Sequence, residues 1–211
     1  NIKILVASEA SRNNLINELP FMLKHNDVIV CPSGVISRRK IEGEVSDLRN
    51  EKCLVYYKNR PKEQLEQVLK FLELKNIEFE IFEYGNYKNK KLKKAAKKFK
   101  FGIYLSRIES QGFAVQEIMS MNLPLIIWDD MDIASKAISQ YYNKPQITGT
   151  SITYWSDKCG IKVHDFSELE NEFDLFISNL ENYKPQNFIL ENLTYEHIRN
   201  YLVDEFIKIK K

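Results

Sequence analysis

No apolar run in this sequence approaches the roughly 20 residues that cross a bilayer. The opening Asn1 to Val6 also lacks the longer apolar stretch and cleavage site of a secretory signal. Cysteine is scarce, with Cys31, Cys53 and Cys159 far apart and no CxxC pair, and the histidines are His25, His164 and His197 alone. Structural zinc needs four closely arranged sulfur or nitrogen ligands, and a disulfide framework needs an even cysteine set, so both are disfavoured. The thiols are expected to be small buried groups in a reducing compartment, which points to a cytoplasmic protein. A strong charge of one sign is missing too: 31 Lys+Arg face 29 Asp+Glu, giving +2, a balance that does not mark a nucleic-acid binder. A chain of 211 residues that opens on Asn rather than Met is expected to be a fragment or a processed product.

What charge there is has been concentrated. Seven lysines occupy Lys90 to Lys100, with Leu92, Ala95, Ala96 and Phe99 three or four apart among them. This spacing predicts a helix with a narrow apolar stripe and a wide lysine face. A solvated face is the simplest reading; weak association with an anionic membrane surface or substrate is the next, and no specific nucleic acid is expected.

Ile2 to Ala7 reads as a strand, Arg12 to Leu23 as a helix disturbed by Pro20, and Asp27 to Cys31 as a second strand. Residues 36–51 are polar and weakly periodic, as in a linker. Strands are then expected at Cys53 to Tyr57, Ile77 to Phe82, Phe101 to Leu105, Leu123 to Trp128 and Gly160 to Val163. Helices are expected at Lys62 to Leu74, over the lysine-rich segment, at Gln111 to Met121, at Ile133 to Tyr142, from Ser167 with a Ser167/Glu170 capping box, and after Thr194. Near-continuous apolar strands separated by helices predict an α/β fold, a Rossmann-like parallel sheet flanked by helices on both faces.

The chemistry is expected in Ser106 to Glu117, where an apolar strand ends and a helix opens. Ligands of open α/β sheets sit at such junctions. Gly112 permits close backbone approach, and free amides at the helix start favour phosphate. Glu109 and Glu117 are eight positions apart, which permits one elongated ligand to span both, one carboxylate on sugar hydroxyls and the other on ribose. On residue type alone an exposed loop acid and a solvated helix acid are an equal reading. Asp129-Asp130 is better read as an acidic turn than as a metal site.

The stretch Phe101 to Asp129, FGIYLSRIESQGFAVQEIMSMNLPLIIWD, resembles the signature of family 4 glycosyltransferases, retaining enzymes of GT-B fold. Glu109, Ser110, Gly112, Phe113, Glu117, Leu123, Pro124 and Ile126 stand at matching positions. The resemblance implies that Glu109 contacts the transferred sugar and Glu117 the nucleotide ribose, with Ser110, Gln111, Gly112 and Phe113 lining the diphosphate and sugar pocket. It places the loop with Gly85 and Tyr87 near the base, where a tyrosine is either a stacking platform or a surface turn. Members usually carry Gly-Arg and a following Lys after the first strand of this domain; here the segment reads Tyr57-Lys58-Asn59-Arg60-Pro61-Lys62, so Lys58, Arg60 and Lys62 are the phosphate candidates. Asn122 replaces the usual Gly before Leu-Pro.

On this reading residues 1–35 are the end of an N-terminal GT-B domain, 36–51 the linker, 52–184 the nucleotide-sugar-binding domain and 185–211 a C-terminal helical extension. The implied reaction moves a hexose from a nucleoside diphosphate sugar to a hydroxyl acceptor (a glycan, a lipid-linked sugar or a small molecule) with no cofactor or metal. It calls for a full N-terminal domain, of which only the final portion is expected here. The alternative is a noncatalytic nucleotide-binding or protein-interaction domain derived from such an enzyme. A dinucleotide-dependent dehydrogenase is weaker, since no GxGxxG follows an early strand.

Overall fold

The structure, a computed structural model, describes residues 3–24, 27–35, 49–139 and 149–209. The linker expectation therefore falls mostly on 36–48, outside the described residues, as does the end of the helix expected to reach Tyr142.

Five parallel strands form the main sheet: β3 (Asn50–Lys58), β4 (Phe79–Glu83), β5 (Phe99–Ser106), β6 (Leu125–Trp128) and β7 (Gly160–Val163), in the order β4-β3-β5-β6-β7. Before them, β1 (Ile4–Val6) and β2 (Val28–Val30) pair in a separate two-stranded parallel sheet. The continuous apolar strands have a direct cause. Cys53, Val55 and Tyr57 face one side of β3 while Leu54 and Tyr56 face the other, and both sides are covered. On one face α3 (Asn89–Lys98), α4 (Phe113–Met119) and α7 (Pro185–Asn192) bury Leu92, Ala96, Val115, Ile118 and Ile189 against Tyr56, Tyr104 and Leu125. On the other, α2 (Lys62–Leu74) and α6 (Phe166–Ser178) bury Val68, Leu72, Leu169 and Phe173 against Val55, Phe101 and Ile103.

The chain winds from β3 outward to β4 on one side and to β5, β6 and β7 on the other. The direction of winding therefore reverses between β3 and β5, and a crevice opens beyond the carboxyl ends of those two neighbours. Lys58 and Ser106 are register partners at that crevice. Below, at the opposite end, Arg49 donates to the carbonyls of Phe99, Met121 and Asn122 at 3.0, 2.8 and 3.0 Å. Burial lowers its pKa to about 10, which leaves it charged at neutral pH.

Local chemistry moved several boundaries. The first helix, α1 (Glu9–Glu18), starts three residues before Arg12, because Ser8 caps it through the Ser11 amide, and it ends ahead of Pro20. The expected Ser167/Glu170 box is replaced by Asp165, whose carboxylate accepts from the Glu168 amide at 2.9 Å, while Glu168 reaches back to the His164 amide at 2.7 Å. Helix α4 is shorter than Gln111 to Met121, since Gly112 stands before it in the left-handed region, φ 77°. Asn122, in the position of the usual glycine, takes φ 58°. Within the expected helical extension of 185–211, α7 was not foreseen as a separate short helix. After α5 (Met131–Ser139) and the elements above, α8 (Tyr195–Ile209) closes the described chain. No helix among the described residues is long and apolar enough to cross a membrane.

Candidate functional site

Glu109 is the centre of the crevice. Its Oε1 accepts from Tyr104 Oη at 2.8 Å, from Ser106 Oγ at 2.7 Å and from Lys58 Nζ at 2.9 Å, and its Oε2 takes a second 2.9 Å contact from the same ammonium. Tyr104 and Ser106 lie on β5, two residues apart and hence on one face of the sheet, and Lys58 ends β3 beside them. The Glu109 side chain is only 7% exposed and that of Lys58 21%, so this is a nearly buried ion pair whose charge is matched and hydrogen-bonded. Burial and the carboxylate of Glu109 push the Tyr104 phenol well above its ordinary range, which keeps it a donor. Tyr104 stacks on Tyr56 with centroids 4.6 Å apart, and Tyr87 meets Tyr56 edge-on at 6.0 Å.

A second layer fixes the loop. The Glu109 amide donates to the Thr150 carbonyl at 2.9 Å. Thr150 and Ser151 are in turn held by buried Asp129, which accepts from Thr150 Oγ1 at 2.8 Å and from the Ser151 amide at 2.7 Å. Asp130 accepts from the Ile133 amide at the start of α5 and from Gln64. Both aspartates thus build turns.

The other expected site residues divide into three places. Ser110 lines the same cleft, of about 180 Å³, as Lys58 and Glu109, and Ala10, Ser11 and Asn14 of α1 line it too, together with Thr150. Gln111 does not present its side chain to the cleft: buried, it accepts from the Ser33 amide at 3.0 Å and donates to the Ser33 carbonyl and to Gln116 Oε1 at 3.3 and 3.1 Å. Phe113 is exposed.

Glu117 stands apart, one helix along. Its Oε1 meets Lys93 Nζ at 2.8 Å and Asn89 Nδ2 at 3.1 Å, both on α3, so part of the lysine helix is paired across to the site helix. Tyr87, half-buried, stands two residues before α3, and Gly85 takes φ 85° in the open loop before it. Lys58 also lies 4.9 Å from the ring of exposed Tyr84. The three cations behave differently. Lys58 reaches the cleft and Lys62 is exposed at the start of α2, but the Arg60 side chain is fully buried. It donates to the Ser106 carbonyl at 3.4 Å and rests 5.2 Å from the Trp128 ring. Burial lowers its pKa, opposed by Asp130 and Asp129.

Sequence reasoning missed Tyr104 and Thr150, and it named Ser106 and Asp129 only as the start of the site segment and as part of an acidic turn, without their contacts. Tyr104 and Ser106 carried a signal, hydroxyls at alternate positions near the end of an otherwise apolar strand; Thr150 meets the Glu109 amide, and Asp129 holds Thr150, through contacts no local pattern encodes.

No family model matches the chain, and no curated protein matches it significantly. Among solved structures it is similar to the crystal structure of TarM, with a TM-score of 0.61 at 18% identity over 97% of this chain and 43% of the TarM chain. The chain thus spans less than half the length of that protein. The likeness is one of fold: parallel sheets flanked by helices in a Rossmann-like arrangement of GT-B type.

Proposed function

We propose that this chain binds a nucleoside diphosphate sugar and forms part of a retaining glycosyltransferase, which transfers a hexose to a hydroxyl acceptor. The observation that carries the reading is Glu109, a carboxylate held by three side chains at the rim of the crevice where the sheet's winding reverses. Glu117 lies on the helix that opens four residues after it, beside the loop of Gly85 and Tyr87. In this reading Glu109 orients the sugar, and Glu117 receives the ribose hydroxyls once Lys93 and Asn89 give way. Lys58 stabilises the departing diphosphate, Lys62 adds charge from the mouth, and Arg60 supports the floor through the Ser106 carbonyl. Ser110, Gly112 and Phe113 border the diphosphate, and Gln111 holds their loop.

The bond from the anomeric carbon to the phosphate oxygen breaks while the acceptor oxygen attacks from the same face, and the acceptor's proton leaves on the diphosphate. Rate enhancement rests on positioning and on electrostatic support of the leaving group. Acceptor recognition is assigned chiefly to an N-terminal domain, with residues 1–35 as its end and 52–184 as the donor domain.

Isothermal titration calorimetry of the chain against UDP, GDP, ADP and their hexose conjugates tests this. Saturable binding to one base, weakened at least tenfold by Glu117→Ala, supports it. Absence of binding by folded protein overturns the donor-domain reading for this chain.

A further inference from the structure

Helix α1 breaks the ordinary pattern of a surface helix. Its sequence, EASRNNLINE, carries three asparagines, residues that favour turns over helix interiors. An amphipathic helix sinks its apolar residues, yet the residue α1 buries is Asn14, 1% exposed, while Leu15 and Ile16 stay half-buried. Local rules of this kind are commonly broken where a site requires it. Asn14 and Ser11 line the same cleft as Glu109 and Lys58.

The size of the cleft bears on its occupant. At about 180 Å³ it falls below the roughly 300–1,000 Å³ of pockets that enclose drug-sized ligands. A whole nucleotide sugar is larger than the cleft, while a single sugar ring is of its scale. The lining suits one: an amide, a hydroxyl, a carboxylate and an ammonium offer both donors and acceptors to hydroxyl groups, and Ile108 and Ile138 offer apolar surface to ring C–H groups.

We infer that α1 closes a compartment for a single hexose, with Asn14 and Ser11 as specificity-determining residues that read its hydroxyls alongside Glu109. This rests on the nucleotide-sugar reading for how the hexose arrives, but it assigns the ring's recognition to the segment before the main sheet. The nucleotide then lies outside the compartment, toward Glu117, and owes nothing to α1.

The test separates the two claims. The ratio of UDP to UDP-glucose dissociation constants, and of the GDP and ADP pairs with their glucose conjugates, measures what the hexose adds. In Asn14→Leu this increment is expected to fall about tenfold and in Ser11→Ala about threefold, with nucleoside diphosphate affinity within twofold of the parent. Ser11 is half-buried, so its variant remains informative if Asn14→Leu does not fold. Saturation-transfer NMR with glucose and methyl α-glucoside probes the compartment without any nucleotide. Transfer lost in either variant supports the inference even if no nucleotide binds, an outcome that overturns only the donor reading. Unchanged increments in folded variants, or no transfer to either sugar from a parent that binds no nucleotide, overturns the inference.

Discussion

Replacing Lys58 with methionine removes the ammonium from Glu109 and keeps most of the stem's volume. Nζ is 2.9 Å from each carboxylate oxygen, where the Coulomb attraction at an effective dielectric of 20 is about 6 kcal/mol before desolvation. Breaking a fully buried pair costs about 3–5 kcal/mol. Two features reduce this here: the Lys58 side chain is 21% exposed, and Tyr104 and Ser106 still donate to Oε1. The expected loss for Lys58→Met is therefore about 2 kcal/mol, seen as a fall in Tm of about 4–8 °C for a chain of this size. Adding Glu109→Gln should return about 1 kcal/mol or more, since the orphaned charge goes with it, and the double-mutant cycle isolates that coupling. Urea titrations followed by circular dichroism measure all three variants. A single-mutant loss under about 0.5 kcal/mol with no coupling in the cycle refutes the account of Glu109 as a buried charge dependent on Lys58.

Two further predictions concern the frame. A Cβ at Gly160, whose φ is 139°, would stand 1.9 Å from the Leu125 carbonyl oxygen, backbone against backbone in the β6–β7 pair. Gly160→Ala should therefore cost more than about 3 kcal/mol, and a Tm within 2 °C of the parent, about 1 kcal/mol or less, contradicts that packing. The Asp165 carboxyl is held below its ordinary range by the Glu168 amide and the Ser167 hydroxyl. A carboxyl depressed on folding contributes stability above its unfolded pKa and loses it as pH falls through the folded value, so the parent weakens progressively below the usual aspartate range. Asp165→Asn keeps a capping oxygen but not the titration; parallel pH–stability curves for the two proteins below pH 4 would show that this carboxylate contributes no linkage.

The sheet was legible because its strands are buried on both faces. Cys53 to Tyr57 and Leu123 to Trp128 leave no polar position for solvent, as strands of a parallel sheet covered on both faces do. Boundaries were less legible, since they are set by single side chains: Ser8 starts α1, Asp165 starts α6, and Gly112 delays α4. Helix α7 escaped because it is one short segment, opened by Pro185, with Phe188 and Ile189 too few to establish a period. Within the site, Glu109 was visible from its position after an apolar strand. Its cage was hidden, because Lys58 is 51 residues away and meets it only through the β3–β5 register.

The pairing of Gln111 with Ser33 has a mechanical meaning. One side-chain amide accepts from and donates to the same peptide unit's residue, as a neighbouring strand would, yet it is a side chain and can swing on its own bonds. Tyr154 makes a second tie of that kind to the Ala7 carbonyl. Just beyond, the Val35 amide remains bonded to the Leu193 carbonyl, and Gly34 packs against Tyr195 too closely for any larger residue. The segment before Ser33 is thus fastened by a catch next to a pivot. With each hydrogen bond worth about 1 kcal/mol net, turning Gln111 gives up only its own bonds to Ser33 and Gln116, and every strand pairing of the main sheet survives.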